Sequence, residues 1–177
     1  LCLYARELIG FDRLIISVSK NPFKQSCAAA DVHRRKMAEL LSAEINATGD
    51  CSEVSGWELS RNQPSYTIDL LRFIRALYPR ADTILLVGED SYRDLPRWKS
   101  FEQIVSLCRI AVFRRKAGGD PLHEQELTPG SASIMFFDFD LPVAASDIRE
   151  RIASGEPVSN LLPSSIRQYI TEHHLYQ

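Results

Sequence analysis

Several short groups of residues in this sequence have the types and spacing to do chemistry. Gly88-Glu89-Asp90 follows directly on the apolar run Thr83-Ile84-Leu85-Leu86-Val87. A glycine there admits a ligand against the backbone, and the carboxylate of Asp90 can accept hydrogen bonds from a ribose or an amine. The same residues also make an ordinary turn. Trp98, in Asp94-Leu95-Pro96-Arg97-Trp98, offers an indole that can stack on a planar ring or fill a core. Pro64-Ser65-Tyr66-Thr67 places hydroxyls and free backbone N–H groups at a helix start, which suits a polar ligand edge or plain capping. Ser146-Asp147-Ile148-Arg149 also opens a helix, where free N–H groups, the helix dipole and a guanidinium can hold phosphates. Asp147 opposes that with its own charge. Lys24 and the Arg34-Arg35-Lys36 cluster are further phosphate ligands or else solvated surface.

The elements that position these groups follow from apolar periodicity. Leu1 to Ile9 reads as a helix stopped by Gly10, and Arg13 to Val18 as a short strand buried on both faces. From Asp31 a helical stripe of Met37, Leu40, Leu41 and Ile45 runs to a stop at Asn46 to Gly49. Glu53-Val54 is a candidate strand. Ser65 or Thr67 is expected to cap a helix carrying Ile68, Leu71, Ile74 and Tyr78 and ending at Pro79. Thr83 to Val87 is the clearest strand, with a sharp backbone turn expected at Gly88. Phe101 to Leu107 is helical in period, Ile110 to Phe113 and Ile134 to Phe137 are apolar strands, and a Gly- and Pro-containing loop separates them. Two helices close the chain, one from Ser146 to Gly155 and one opening with Pro163 at its first position. Alternating strands and helices predict an α/β fold, a Rossmann-like doubly wound parallel sheet in a single domain over 1–177. Ligands in such sheets bind beyond the carboxyl ends of the strands, where the polar groups fall.

Composition narrows the function. The 177 residues carry 21 basic and 23 acidic side chains without long blocks, which argues against a nucleic acid or membrane-surface partner. No apolar run reaches membrane-span length and no leader is evident, so a cytoplasmic location is expected. Cys2, Cys27, Cys51 and Cys108 form no C-x-x-C pair; they read as reduced, mostly buried thiols, and no protein metal site is expected. His33, His123, His173 and His174 read as surface or helix-packing residues.

These residues, in this order, resemble the bacterial nicotinate-nucleotide adenylyltransferases over nearly the whole chain. Glu58-Leu59 through Arg61 and Pro64 to Asp69 are similar to the family's E-L-x-R-x-x-x-S-Y-T segment. Gly88-x-Asp90 and Trp98 fit the family spacing. Ser146 with Ile148-Arg149 is similar to the end of its I-S-S-T-x-I-R signature, and Leu162-Pro163 through Tyr176 to its ending. The family's G-G-x-F-D-P-x-H-x-G-H segment, with the first strand, is expected upstream of Leu1.

The resemblance implies adenylyl transfer from ATP to nicotinate mononucleotide, giving deamido-NAD and pyrophosphate in NAD biosynthesis, with magnesium carried on ATP rather than by protein ligands. It assigns Trp98 to the pyridine ring and Tyr66 and Thr67 to its carboxylate edge. Gly88 and Asp90 fall on the adenosine, Ser146 and Arg149 on the ATP phosphates, Lys24 on the mononucleotide phosphate, and Arg34 on substrate. Lys24 and Arg149 are thereby the catalytic candidates. Three alternatives stay open: a nicotinamide mononucleotide acceptor, a phosphopantetheine acceptor, and a non-catalytic nucleotide-binding domain of the same fold. Association of identical copies is also left open.

Overall fold

The computed structural model describes residues 2–20, 29–115, 134–139 and 143–177. Lys24, Cys27 and His123 lie outside them. The chain divides into two compact units, Leu1–Ser65 with Val143–Gln177, and Tyr66–Pro142.

The first unit contains α1 (Cys2–Ile9), β1 (Leu14–Ser17), α2 (Asp31–Asn46), β2 (Ser52–Ser55), α6 (Ala145–Ala153) and α7 (Ser164–Glu172). Its two strands are parallel, in register from Leu14 opposite Ser52 to Ser17 opposite Ser55. Parallel neighbours need a crossover, and α2 supplies it. Asn46 at the end of α2 fastens the turn into β2, its Oδ1 accepting from the N–H groups of Cys51 (3.1 Å) and Ser52 (2.8 Å). Gly49 takes φ 138° in that turn, a conformation side chains with a Cβ rarely adopt. The apolar faces of α7 and α2 meet, with Ile166, Ile170 and Leu175 buried against Met37, Leu40 and Leu41. His33 and His173 join this contact: the His33 ring shares a 2.9 Å hydrogen bond with the Tyr169 hydroxyl, and the His173 ring lies 4.3 Å from that of Tyr169.

The second unit contains α3 (Thr67–Leu77), β3 (Ile84–Gly88), α4 (Glu89–Asp94), a 3-10 turn (Leu95–Arg97), α5 (Phe101–Leu107), β4 (Arg109–Arg115) and β5 (Ile134–Phe139). Its sheet is parallel in the order β3-β4-β5, and Gly88, Phe113 and Phe137 lie side by side near the carboxyl ends. The continuous apolar character of the central strand matches its position: Ile110, Ala111 and Val112 are wholly buried. Around them pack Val87, Tyr92, Leu95 and Val105. Each large apolar side chain so buried contributes roughly 1.5–3 kcal/mol.

Two local expectations are corrected, at the starts of α3 and α7. Neither Ser65 nor Thr67 caps α3; Tyr66 is the N-cap residue, extended at φ −115°, and no side chain accepts from the first turn. The turn expected at Gly88 is made with an ordinary φ of −79°, the residue ending β3 and capping α4 directly. Pro163 is the N-cap of α7 rather than its first helical residue. Finally, the segment from Glu89 to Arg97, which shows no helical period, folds as α4 and the 3-10 turn because Tyr92 and Leu95 reach the core.

Candidate active site

In the second unit the candidate residues gather around the start of α3 and the end of β3. The N–H groups of Thr67 and Ile68 precede the first helical hydrogen bonds, which run from Asp69 and Leu70 to the Tyr66 carbonyl. They therefore remain available to an anionic or polar ligand edge. Tyr66 is half-buried against a cluster of Ile68, Leu71, Ile104 and Cys108, and Trp98 packs on the same cluster and on the neighbouring one around Leu95. The indole is thus anchored by its apolar body without being wholly enclosed. Two residues on, Ser100 adopts φ 57°, the left-handed conformation, and starts α5 with its carbonyl accepting from Gln103 and Ile104. That tight reversal fixes where Trp98 and Lys99 stand. The Lys99 ammonium lies 4.2 Å from the centre of the Tyr66 ring.

At the end of β3, Gly88 and Asp90 are exposed. A Cβ built on Gly88 would meet nothing within 4 Å, so the space over its backbone is open. Glu89, between them, is engaged with Arg93 at 2.8 Å.

In the first unit the structure brings Arg34 and Arg149 to one groove of about 260 Å³, whose floor is apolar and includes Met37, Ile148 and Ile166. Arg34 comes from the first turn of α2. Its Nη1 donates to the Ser19 carbonyl at 2.7 Å and its Nη2 to Asp31 Oδ1 at 2.5 Å. Its Nε is buried and has no hydrogen-bond partner among the described residues. A buried donor left unpaired is costly, so this one is suited to an acceptor brought by a ligand or water. Arg149 comes from α6 and donates from Nε to the Ala145 carbonyl at 3.1 Å, leaving its terminal nitrogens for the groove. Ser146 is exposed on the first turn, but its hydroxyl donates to Asp147 Oδ1 at 3.0 Å. The other oxygen of Asp147 accepts from the Ala144 N–H at 2.9 Å. A phosphate at this terminus would have to compete with that carboxylate for the helix end.

Two groups with a visible place here had been given no role from sequence. Glu58 is only 5% exposed, and its carboxylate accepts from the Ser17 hydroxyl (2.7 Å) and the Lys20 N–H (3.4 Å). Lys20 in turn donates from Nζ to the Arg61 carbonyl at 2.6 Å. These bonds tie the loops that leave β1 and β2 at their carboxyl ends. The other is Lys99. The E-L-x-R segment contains Glu58 without giving it a role, and nothing in the spacing marks Lys99.

Parallel strands with polar groups at their carboxyl ends define an α/β nucleotide-binding protein. The profile of the cytidylyltransferase-like family matches residues 3–151. The chain is 50% identical, over 177 residues, to "Probable nicotinate-nucleotide adenylyltransferase" of Chlorobium limicola, covering 100% of this chain and 89% of that protein. With the like-named protein of Chlorobaculum tepidum it shares 51% over 178 residues, or 99% of this chain and 89% of that one. Among solved structures, the Plasmodium falciparum nicotinic acid mononucleotide adenylyltransferase complexed with NaAD aligns with TM-score 0.72 at 16% identity, covering 98% of this chain and 90% of that one. That likeness speaks for the fold. The chain belongs to the nicotinate-nucleotide adenylyltransferase family, within the cytidylyltransferase-like proteins.

Proposed function

We propose that the protein transfers the adenylyl group of ATP to nicotinate mononucleotide. A phosphate oxygen of the mononucleotide attacks the α-phosphorus of ATP, the bond to the β-phosphate breaks, and deamido-NAD and pyrophosphate leave. The observation that supports this most is identity of about half the residues, over the full chain, with relatives named for this reaction. The geometry agrees with it at two places. An anchored, incompletely enclosed indole beside the free N–H groups of a helix suits a flat ring bearing an anionic substituent. Two guanidiniums at one groove suit a polyphosphate.

In this reading Trp98 stacks on the pyridine ring, and Tyr66 and Thr67 receive its carboxylate edge. Gly88 lets the adenosine lie against the backbone and Asp90 accepts from it. Arg149, with Ser146, holds the ATP phosphates; Arg34 adds a second cation, and Lys24 takes the mononucleotide phosphate. Such transfer depends on aligning the nucleotides and on charge placed where it develops, so the side chains act by position rather than as nucleophiles. Among the described residues no group of three or more His, Cys, Asp or Glu could hold a metal. Magnesium in this reading enters on the triphosphate and offsets its charge. No helix among the described residues is long and apolar enough to cross a membrane, and we place the reaction in the cytoplasm.

The test is to incubate the protein with ATP, magnesium and nicotinate mononucleotide, and to follow deamido-NAD by mass spectrometry alongside pyrophosphate. Equimolar formation of the two is expected. Faster turnover of phosphopantetheine or nicotinamide mononucleotide would reassign the acceptor, and binding of both nucleotides without product would make this a binding domain.

A further inference from the structure

The preceding reading leaves open what distinguishes a pyridine ring carrying a carboxylate from one carrying a carboxamide, two substituents of nearly the same shape. The difference is one charge. The helix start at Tyr66 favours the acid through its N–H groups, but N–H groups also serve the carbonyl of an amide. A full positive charge discriminates more sharply.

Lys99 is placed to supply it. Its ammonium sits over the face of Tyr66 at 4.2 Å, held there by the negative face of the ring. Lys99 directly follows Trp98, and Trp98 and Tyr66 pack on one apolar cluster. The ammonium makes no ion pair among the described residues, whereas Asp69 pairs with Arg72 and Asp94 with Arg97, each at 3.9 Å. An anionic substituent on the ring answers this cation; a carboxamide leaves it unpaired.

We propose that Lys99 is a specificity-determining residue, its ammonium on Tyr66 giving a carboxylate-bearing pyridine mononucleotide preference over the carboxamide. This rests on the pyridine site proposed above. The charge is exposed, so its effect is that of a surface ion pair, roughly three- to fivefold in relative affinity, and salt screens it.

Titration calorimetry of the whole chain with nicotinate mononucleotide and with nicotinamide mononucleotide tests it. Lys99→Met is expected to weaken the acid by that factor and leave the amide unchanged. Lys99→Arg is expected to keep the wild-type ratio, a rescue that a merely structural role for the side chain would not produce. Raising salt to about 0.5 M should narrow the wild-type ratio and not that of Lys99→Met. An unchanged ratio in Lys99→Met, with the acid still bound, overturns the role of Lys99 and leaves the pyridine site standing. Binding of neither mononucleotide by the wild type removes the site and this assignment with it.

Discussion

The Ser17 hydroxyl, at the carboxyl end of β1, donates a 2.7 Å hydrogen bond to the buried carboxylate of Glu58 in the loop after β2. Both loops lie at the rim where such sheets bind ligands, and Ser19, between Ser17 and Lys20, offers the carbonyl that receives Arg34. Removing the carboxylate leaves the Ser17 hydroxyl and the Lys20 N–H without their acceptor. Glu58→Ala should therefore cost roughly 2–4 kcal/mol of unfolding free energy in a urea titration, and Glu58→Gln, which keeps one acceptor, about half as much. Equal costs for the two would assign the effect to packing instead of hydrogen bonding.

Trp98 bridges two apolar clusters while part of it stays open, so its replacement has two separable effects. Trp98→Ala should lower stability by roughly 1–3 kcal/mol and weaken pyridine mononucleotide binding by about tenfold, with ATP affinity changed far less. Trp98→Phe, which keeps a stacking face, should recover most of the binding. Parallel loss of ATP and mononucleotide affinity in the alanine variant would take the indole out of the ring-stacking role.

Arg34 and Arg149 reach one groove from different helices. If both guanidiniums hold the same triphosphate, each alanine variant should raise the KM for ATP by roughly tenfold or more. The double variant should lose less than the product of the two, because neighbouring charges on one ligand do not act additively. Strict additivity would place the two arginines on separate groups.

Before folding, the strands were readable to within a residue or two because β3, β4 and β5 are apolar runs that little else explains. α4 was not readable: in Glu89-Asp90-Ser91-Tyr92-Arg93-Asp94 only Tyr92 is apolar, and the helix exists because Tyr92 and Leu95 find the core, a tertiary reason. The sequence motifs picked out Tyr66, Trp98 and Arg149 because ring stacking and phosphate binding demand particular residue types. Lys99 and Glu58 escaped because their partners, Tyr66 and Ser17, are distant in sequence, and spacing encodes only neighbours. The pairing of Arg34 with Arg149 had the same cause. At Ser146 the motif marks the start of α6 and the opposing charge of Asp147, but not the hydrogen bond by which Asp147 engages the hydroxyl.

Cys108 gives a prediction that depends on pH alone. Its thiol is buried between α5 and β4, donates to the Ile104 carbonyl at 3.3 Å, and has its pKa pushed up by desolvation to about 11. In the unfolded chain the thiol ionises near its ordinary value of 9.0. Below that value both states are protonated and the buried thiol costs nothing. Between about 9 and 11 the unfolded state releases its proton while the folded state keeps it, so stability declines as pH rises, by at most about 1.4 kcal/mol per pH unit from this group. Cys2 and Tyr92, also raised by burial, lower stability in the same direction, so the comparison has to be with Cys108→Ala. The wild type should lose stability more steeply than the variant across this window, and the two slopes should coincide below it. Native protein at pH 8 should likewise leave Cys108 unmodified by iodoacetamide until it is unfolded, because only the thiolate reacts. Equal slopes above pH 9, or rapid native alkylation at Cys108, would mean that the thiol ionises as freely in the fold as in the open chain.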